Sequence, residues 1–124
     1  MLDHSDPLYR DCWYPDGELS IAYNAIDRHV NEGRGDDVAF YEHSVYTGTE
    51  KAWTYKEMKE ESGKLATIMS ERFGVKKGDT VIIYMPMVMQ AAVMMMACVR
   101  LGAIHSVVFG GFAPKELAVR IDDL

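Results

Sequence analysis

The sequence predicts an α/β fold, specifically a partial layer of parallel sheet with helices flanking its faces. Three observations carry that expectation. Val81, Ile82, Ile83 and Tyr84 form a nearly continuous apolar run behind a Gly78-Asp79 turn, as expected of a strand covered on both sides. Residues 87–99 are apolar on almost every helical face except at Gln90, which predicts a helix packed on the sheet and covered again from outside. Residues 104–109 supply a second apolar run, and a crossover of this length joins parallel neighbours with a right-handed connection. Pro86 suits the first helical turn, where its missing amide hydrogen would have no partner, and Gly102 suits the left-handed position past the helix end.

The remaining elements are justified in order. Residues 1–18 mix Asp3, Asp6, Pro7, Asp11, Pro15, Asp16 and Gly17 with Trp13 and Tyr14, predicting an extended arm whose aromatic side chains dock elsewhere. Leu19, Ala22, Tyr23, Ile26 and Val30 recur at helical spacing, with Ser20 as a cap and a stop near Gly33. Asp27, Arg28 and His29 follow one another on that helix. Their side chains diverge by about 100° per residue, so they are read as a solvated or locally paired face and not as a catalytic trio. Residues 31–37 read as a boundary. Gly33-Arg34-Gly35 lacks the preceding strand and following helix of a dinucleotide turn. Two units are set off by it, 1–33 and 38–124, which the family resemblance described below implies are an N-terminal extension and the start of a larger, incomplete domain.

Residues 38–43 and 51–55 read as strands of a hairpin around Tyr46-Thr47-Gly48-Thr49. Thr54 with Glu57 three positions on forms a capping box for a helix that turns Met58, Leu65, Ala66, Ile68 and Met69 inward. Lys56, Lys59, Glu60, Glu61 and Lys64 face out, and Gly74 ends the helix. Pro114 opens a last helix, with Glu116 in its first turn where negative charge suits the helix dipole.

Composition bounds the function. The 124 residues amount to about one domain, and 48% hydrophobic residues suffice for a core. A formal charge of -6 argues against a nucleic-acid or anionic-membrane partner. Cys12 and Cys98 have no CxxC spacing, favouring a reduced, intracellular protein, and neither reads as a nucleophile. Asp3, His4 and Asp6 stand where a signal peptide would be basic, and the apolar run over 91–99 is too short to span a membrane. His4, His29, His43 and His105 are scattered without metal-ligand spacing, so no metal site is expected. The methionines clustered over 85–96 read as adaptable core filling.

The candidate site is the end of the second strand, at Phe109, Gly110 and Gly111. Ligands gather outside the carboxyl ends of parallel strands, and glycines there bring backbone amides close to a bound group. The competing reading is a tight turn into the next helix, since Gly-Gly alone is no phosphate fingerprint.

Four runs carry a more specific resemblance: YNAIDRHV (23–30), TYKE (54–57), VKKGDTVIIYMPM (75–87) and ACVRLGAIHSVVFGGFAPKELAVRID (97–122). Their order and spacing resemble the N-terminal portion of AMP-forming acetyl-CoA and propionyl-CoA synthetases, within the acyl-adenylate-forming family. Leu19-Ser20 stands where that family usually has Leu-Asn, and Met87-Val88-Met89-Gln90 replaces a more usual Ile-Pro.

The resemblance implies a ligase that activates acetate or propionate with ATP and Mg²⁺ and passes the acyl group to CoA, in the mitochondrial matrix or cytoplasm. It also implies that the phosphate loop and its lysine, the Tyr-Gly-x-Thr-Glu stretch, the hinge acid and the catalytic lysine lie beyond the point matching Leu124. No catalytic residue is therefore expected here, and the chain alone is expected to be inactive and to bind no cofactor tightly. Phe109, Gly110 and Gly111 match part of the wall against the nucleotide end of CoA. The alternative is a stand-alone nucleotide-binding or protein-interaction module. A NAD site fits poorly, because Met85-Pro86 follows the first strand where a glycine turn would be needed. An uncovered sheet edge is expected to give marginal stability or self-association.

Overall fold

The computed structural model describes Leu2–Asp3, residues 12–14 and residues 16–124. Strands β1 (Leu2–Asp3) and β2 (Cys12–Trp13) pair antiparallel. A leading helix over 21–34 follows, capped by Ser20, whose Oγ accepts from the Tyr23 amide at 3.2 Å. Its turns widen to the π form at Tyr23–Asp27 and Val30–Arg34, and Gly33, at φ 84°, reverses the chain.

Strands β3 (Val38–Ser44) and β4 (Thr49–Thr54) form the expected antiparallel hairpin, with a register shift between Val38 and Phe40. Thr54 then caps α1 (Tyr55–Phe73): its Oγ1 accepts from the Glu57 amide at 3.2 Å while the Glu57 carboxylate accepts from the Thr54 amide at 2.8 Å. Gly74 ends α1 at φ 69°.

Strand β5 (Thr80–Met85), helix α2 (Met89–Leu101) and strand β6 (Ile104–Phe109) form the expected unit. The two strands are parallel and in step from Thr80↔Ile104 to Met85↔Phe109. Helix α3 (Pro114–Asp122) closes the described chain, with proline in its first turn.

The core lies on both sides of α2. Ala66 and Met69 of α1 meet Ile83 of β5 and Ala97 and Cys98 of α2 in one cluster. Ile26, Trp53 and Met58 meet Met89 and Val93 of α2 in another. The near-continuous apolarity of α2 is thus explained: the sheet covers one face, and α1 with the leading helix and hairpin covers the other. Each fully buried large side chain, such as Ile26, Met58 or Ile83, stabilises the fold by roughly 1.5–3 kcal/mol.

Several expectations are corrected. Pro86 lies in a tight turn outside α2, with its carbonyl accepting from the Val88 amide at 2.8 Å, and the helix starts at Met89. Glu42 from the hairpin supplies the cap there, so no local capping residue is needed. Ile68 is exposed, and Ser62 takes an inward position instead. The buried stripe of α1 runs Met58, Ser62, Ala66, Met69, and Ile68 lies about 100° off it. Asp27 is neither solvated nor locally paired, because Arg100 of α2 reaches it. Tyr14 is exposed with φ 54° and does not dock, whereas the Trp13 side chain and His4 lie outside the described residues.

Candidate functional site

Because β5 and β6 are in step, both carboxyl ends finish at one level, at Met85 and Phe109. The Phe112 amide donates to the Phe109 carbonyl at 3.1 Å, so residues 109–112 turn tightly towards α3. The Tyr84 hydroxyl fixes this turn by donating to the Phe112 carbonyl at 2.7 Å. The Phe109 and Phe112 rings meet edge to face with centroids 5.8 Å apart, and the Arg120 guanidinium lies 4.6 Å over Phe112.

The paired glycines have different causes. A Cβ on Gly110 would lie 2.9 Å from the backbone of Met85 and Pro86, so only glycine lets β6 leave the sheet that close to β5. A Cβ on Gly111 would instead meet the Phe109 ring at 2.6 Å. Phe109 as a residue is 58% exposed.

Beside Phe109 a cavity of about 500 Å³ opens between β3 and the start of α2. Met85, Met87, Met89, Met95 and Phe109 give it an apolar lining, with Glu42 at its side. Glu42 was not singled out in the sequence, although alternation along β3 places it across from Lys51. One of its oxygens accepts from the Trp53 indole at 3.0 Å and the other from the Met89 amide at 3.2 Å. The indole first, and the Met89 amide next, hold its carboxyl below the ordinary carboxylate range.

The opposite end of α2 carries a second polar tie. Arg100 donates two bonds to the Asp27 carboxylate, at 2.7 and 2.8 Å, and one to Ser62 Oγ at 2.9 Å. Ser62, fully buried, donates its own hydroxyl hydrogen to the Met58 carbonyl at 2.6 Å. The Arg100 guanidinium holds the Asp27 carboxyl below its usual value against the opposing effect of burial. Arg100 lies eleven residue steps along the helix from Met89, about 16 Å along the axis, so this tie is not part of the candidate site.

Other candidates are accounted for locally. Burial pushes the free Cys98 thiol up, the opposite of what a nucleophile needs. His29 stacks on Tyr55 with centroids 4.4 Å apart, and His43 lies 3.1 Å from Glu50 on the hairpin surface. Among the described residues no group of three or more histidine, cysteine, aspartate or glutamate side chains is placed to hold a metal ion. No helix among them is long and apolar enough to cross a membrane.

A family profile described as AMP-binding enzyme matches residues 26–124. The chain belongs to that family. The match takes in every element from the middle of the leading helix to α3, so the half-covered sheet and its flanking helices are the N-terminal part of an AMP-binding fold. The chain is 56% identical over 110 residues to the mitochondrial acyl-CoA synthetase short-chain family member 3 of Bos taurus, covering 89% of the chain and 16% of that relative. The human protein of the same name is 54% identical over 110 residues, with the same coverage. Acetyl-coenzyme A synthetase of Streptomyces coelicolor is 49% identical over 122 residues, which is 98% of the chain and 18% of the relative. The resemblance to short-chain synthetases read from the motifs is borne out. The chain spans less than a fifth of the length of these relatives.

Proposed function

We propose that this chain is a segment of an AMP-forming ligase that joins a short-chain carboxylate, acetate or propionate, to CoA, and that its own part is the wall at the nucleotide end of the CoA site. The observation that supports this is the exposed Phe109 ring at the shared carboxyl ends of β5 and β6, next to the tight Gly110-Gly111 turn. An aromatic face there can stack a base, a contact worth about 1–3 kcal/mol.

Acyl-adenylate formation needs an anchored polyphosphate, a cation and positive charge on the transferring phosphoryl group. The sequence contains no Ser/Thr/Gly-rich phosphate loop with a lysine, and Arg120 beside this turn is already held over Phe112. On this reading ATP, Mg²⁺ and the carboxylate are handled elsewhere in the longer enzyme. The 124-residue chain alone then binds CoA weakly and turns nothing over. The boundary belongs near residues 33–38, with 1–33 as an extension. The compartment is intracellular, mitochondrial or cytoplasmic. In isolation the free edges of the β5–β6 sheet, with Ile104 and Val107 exposed beside them, favour self-association.

The test is calorimetric titration of the purified chain with CoA and NAD, paired with an assay of acetate- and propionate-dependent pyrophosphate release. The expected result is weak CoA binding that falls at least fivefold in Phe109→Ala, with no pyrophosphate released. Turnover by the chain alone would overturn the reading. Tight NAD binding would favour a stand-alone nucleotide module instead.

A further inference from the structure

We propose that the cavity between β3 and the start of α2 is a thioether site for a soft monovalent cation, Cu(I), held by Met85, Met87, Met89 and Met95. The site is independent of the ligase reading above and makes no use of a nucleotide.

Met85, Met87 and Met89 alternate through the end of β5, the turn at Pro86 and the first residue of α2, and Met95 returns to the same space from further along the helix. All four line one cavity of about 500 Å³. Core filling does not account for them. A methionine recruited to fill an irregular gap closes it, yet this space stays open, and Met87 is 91% exposed. Unbranched, flexible side chains let the four sulfurs close on a guest instead.

The donors select the metal. Thioether sulfur is neutral and soft and suits Cu(I), whereas Mg²⁺ and Ca²⁺ take oxygen ligands and Zn²⁺ takes thiolate, imidazole or carboxylate. One carboxylate, Glu42, lines the cavity, which is too few oxygens for a hard ion. The Trp53 indole first, and the Met89 amide next, keep it ionised, so its charge balances a monovalent cation without entering the coordination. His43 also lines the space, but its Nε2 lies 3.1 Å from Glu50 on the hairpin. Among the described residues lining the cavity there is no lysine or arginine to repel a cation. The histidine and cysteine spacings that form no metal motif in the sequence are silent about thioethers.

The experiment is titration of the full chain, labelled with methyl-¹³C methionine, with silver nitrate as the redox-inert probe and with Cu(I) kept reduced by ascorbate under nitrogen. Cys12→Ser combined with Cys98→Ala removes the competing thiols. The wild-type chain, read beyond the two equivalents its cysteines take, guards against a folding loss in that variant. Saturation at one ion per chain is expected, with the Met85, Met87, Met89 and Met95 methyl signals shifted and those of Met58 and Met69, buried in the core, in place. Met87→Leu alters an exposed side chain and is expected to weaken binding roughly tenfold. Met94→Leu, on α2 but outside the cavity lining, is expected to leave the affinity unchanged. Thioethers carry no proton to lose, so the affinity should hold from neutral pH down to about 5.5, where an imidazole site would weaken. Unmoved cavity methyls, full affinity in Met87→Leu, loss of binding in acid, or the same shifts with Mg²⁺ or Zn²⁺ would each overturn the proposal. The Phe109→Ala test of CoA binding is decided separately, so either reading can fall without the other.

Discussion

Replacing Arg100 by methionine keeps most of the apolar stem and removes the guanidinium that ties α2 to the leading helix and α1. The change leaves Asp27 as a carboxylate without its partner, and Ser62 Oγ without the donor at 2.9 Å. Breaking a buried pair by deleting one member costs about 3–5 kcal/mol, and exposed pairs are worth about 0–1 kcal/mol. The Arg100 and Asp27 side chains are 17% and 19% exposed, closer to the first case. A loss of about 2–3 kcal/mol follows. That is a large share of the roughly 5–15 kcal/mol that holds a domain together. Asp27→Asn, which keeps one acceptor, should cost less, and the double variant should cost clearly less than the sum of the two.

Urea denaturation followed by circular dichroism at neutral pH measures all three. The pH dependence has a defined sign. The folded pKa of Asp27 lies below its ordinary value of 3.8, so the ion pair stabilises the chain fully above that value and is lost as pH falls through the folded pKa. The gap between the wild type and Arg100→Met should therefore narrow as the pH is lowered from about 4. A penalty below about 0.5 kcal/mol, additive single variants, or a gap unchanged in acid would refute the argument.

The two glycines of the turn should separate fold from site. Gly110→Ala drives a Cβ into the Met85–Pro86 backbone and should cost about 1–3 kcal/mol in a urea melt, as overpacking does. Gly111→Ala meets only the exposed Phe109 ring, which can swing aside, so it should leave the melt nearly unchanged while weakening CoA in calorimetry. Thr54→Ala removes the side-chain acceptor of the α1 capping box and should cost about 1 kcal/mol in the same melt.

What was legible in the sequence was local in origin. The capping box at Thr54 and Glu57, the left-handed glycines at 74 and 102, and the β5–α2–β6 unit each depend on residues a few positions apart. Phe109 was found at the end of a strand, ahead of Gly110 and Gly111, and the structure places Phe109 in the lining of the cavity. Three errors share another origin. Pro86 looked like a helix start because Glu42, 47 residues before Met89, could not be seen as the cap of α2. Asp27 looked solvated because its partner lies 73 residues away. Ile68 was read as inward while Ser62 was not, because the Arg100 that bonds Ser62 comes from another helix. Hydrophobic periodicity reports which face is buried, and says nothing about which distant polar group will meet an inward-facing hydroxyl or carboxylate.

Those long-range ties also answer a problem that the composition of α2 creates. A helix apolar nearly all round, with Met89, Met94, Met95 and Met96 among its residues, has flexible side chains that can repack at several rotations about its axis. Burial alone therefore fixes its presence better than its orientation. Glu42 meets its first amide, and Asp27 and Ser62 meet Arg100 at its last turn, each from a different element. Turning the helix by one residue, about 100°, would swing the Arg100 side chain away from Asp27 and leave the carboxylate half-buried without a partner. The apolar face supplies most of the stabilisation and the polar contacts at its two ends select one rotation. The cavity wall depends on that selection, because Met89 and Met95 face the space beside Phe109 only in the rotation that Arg100 holds.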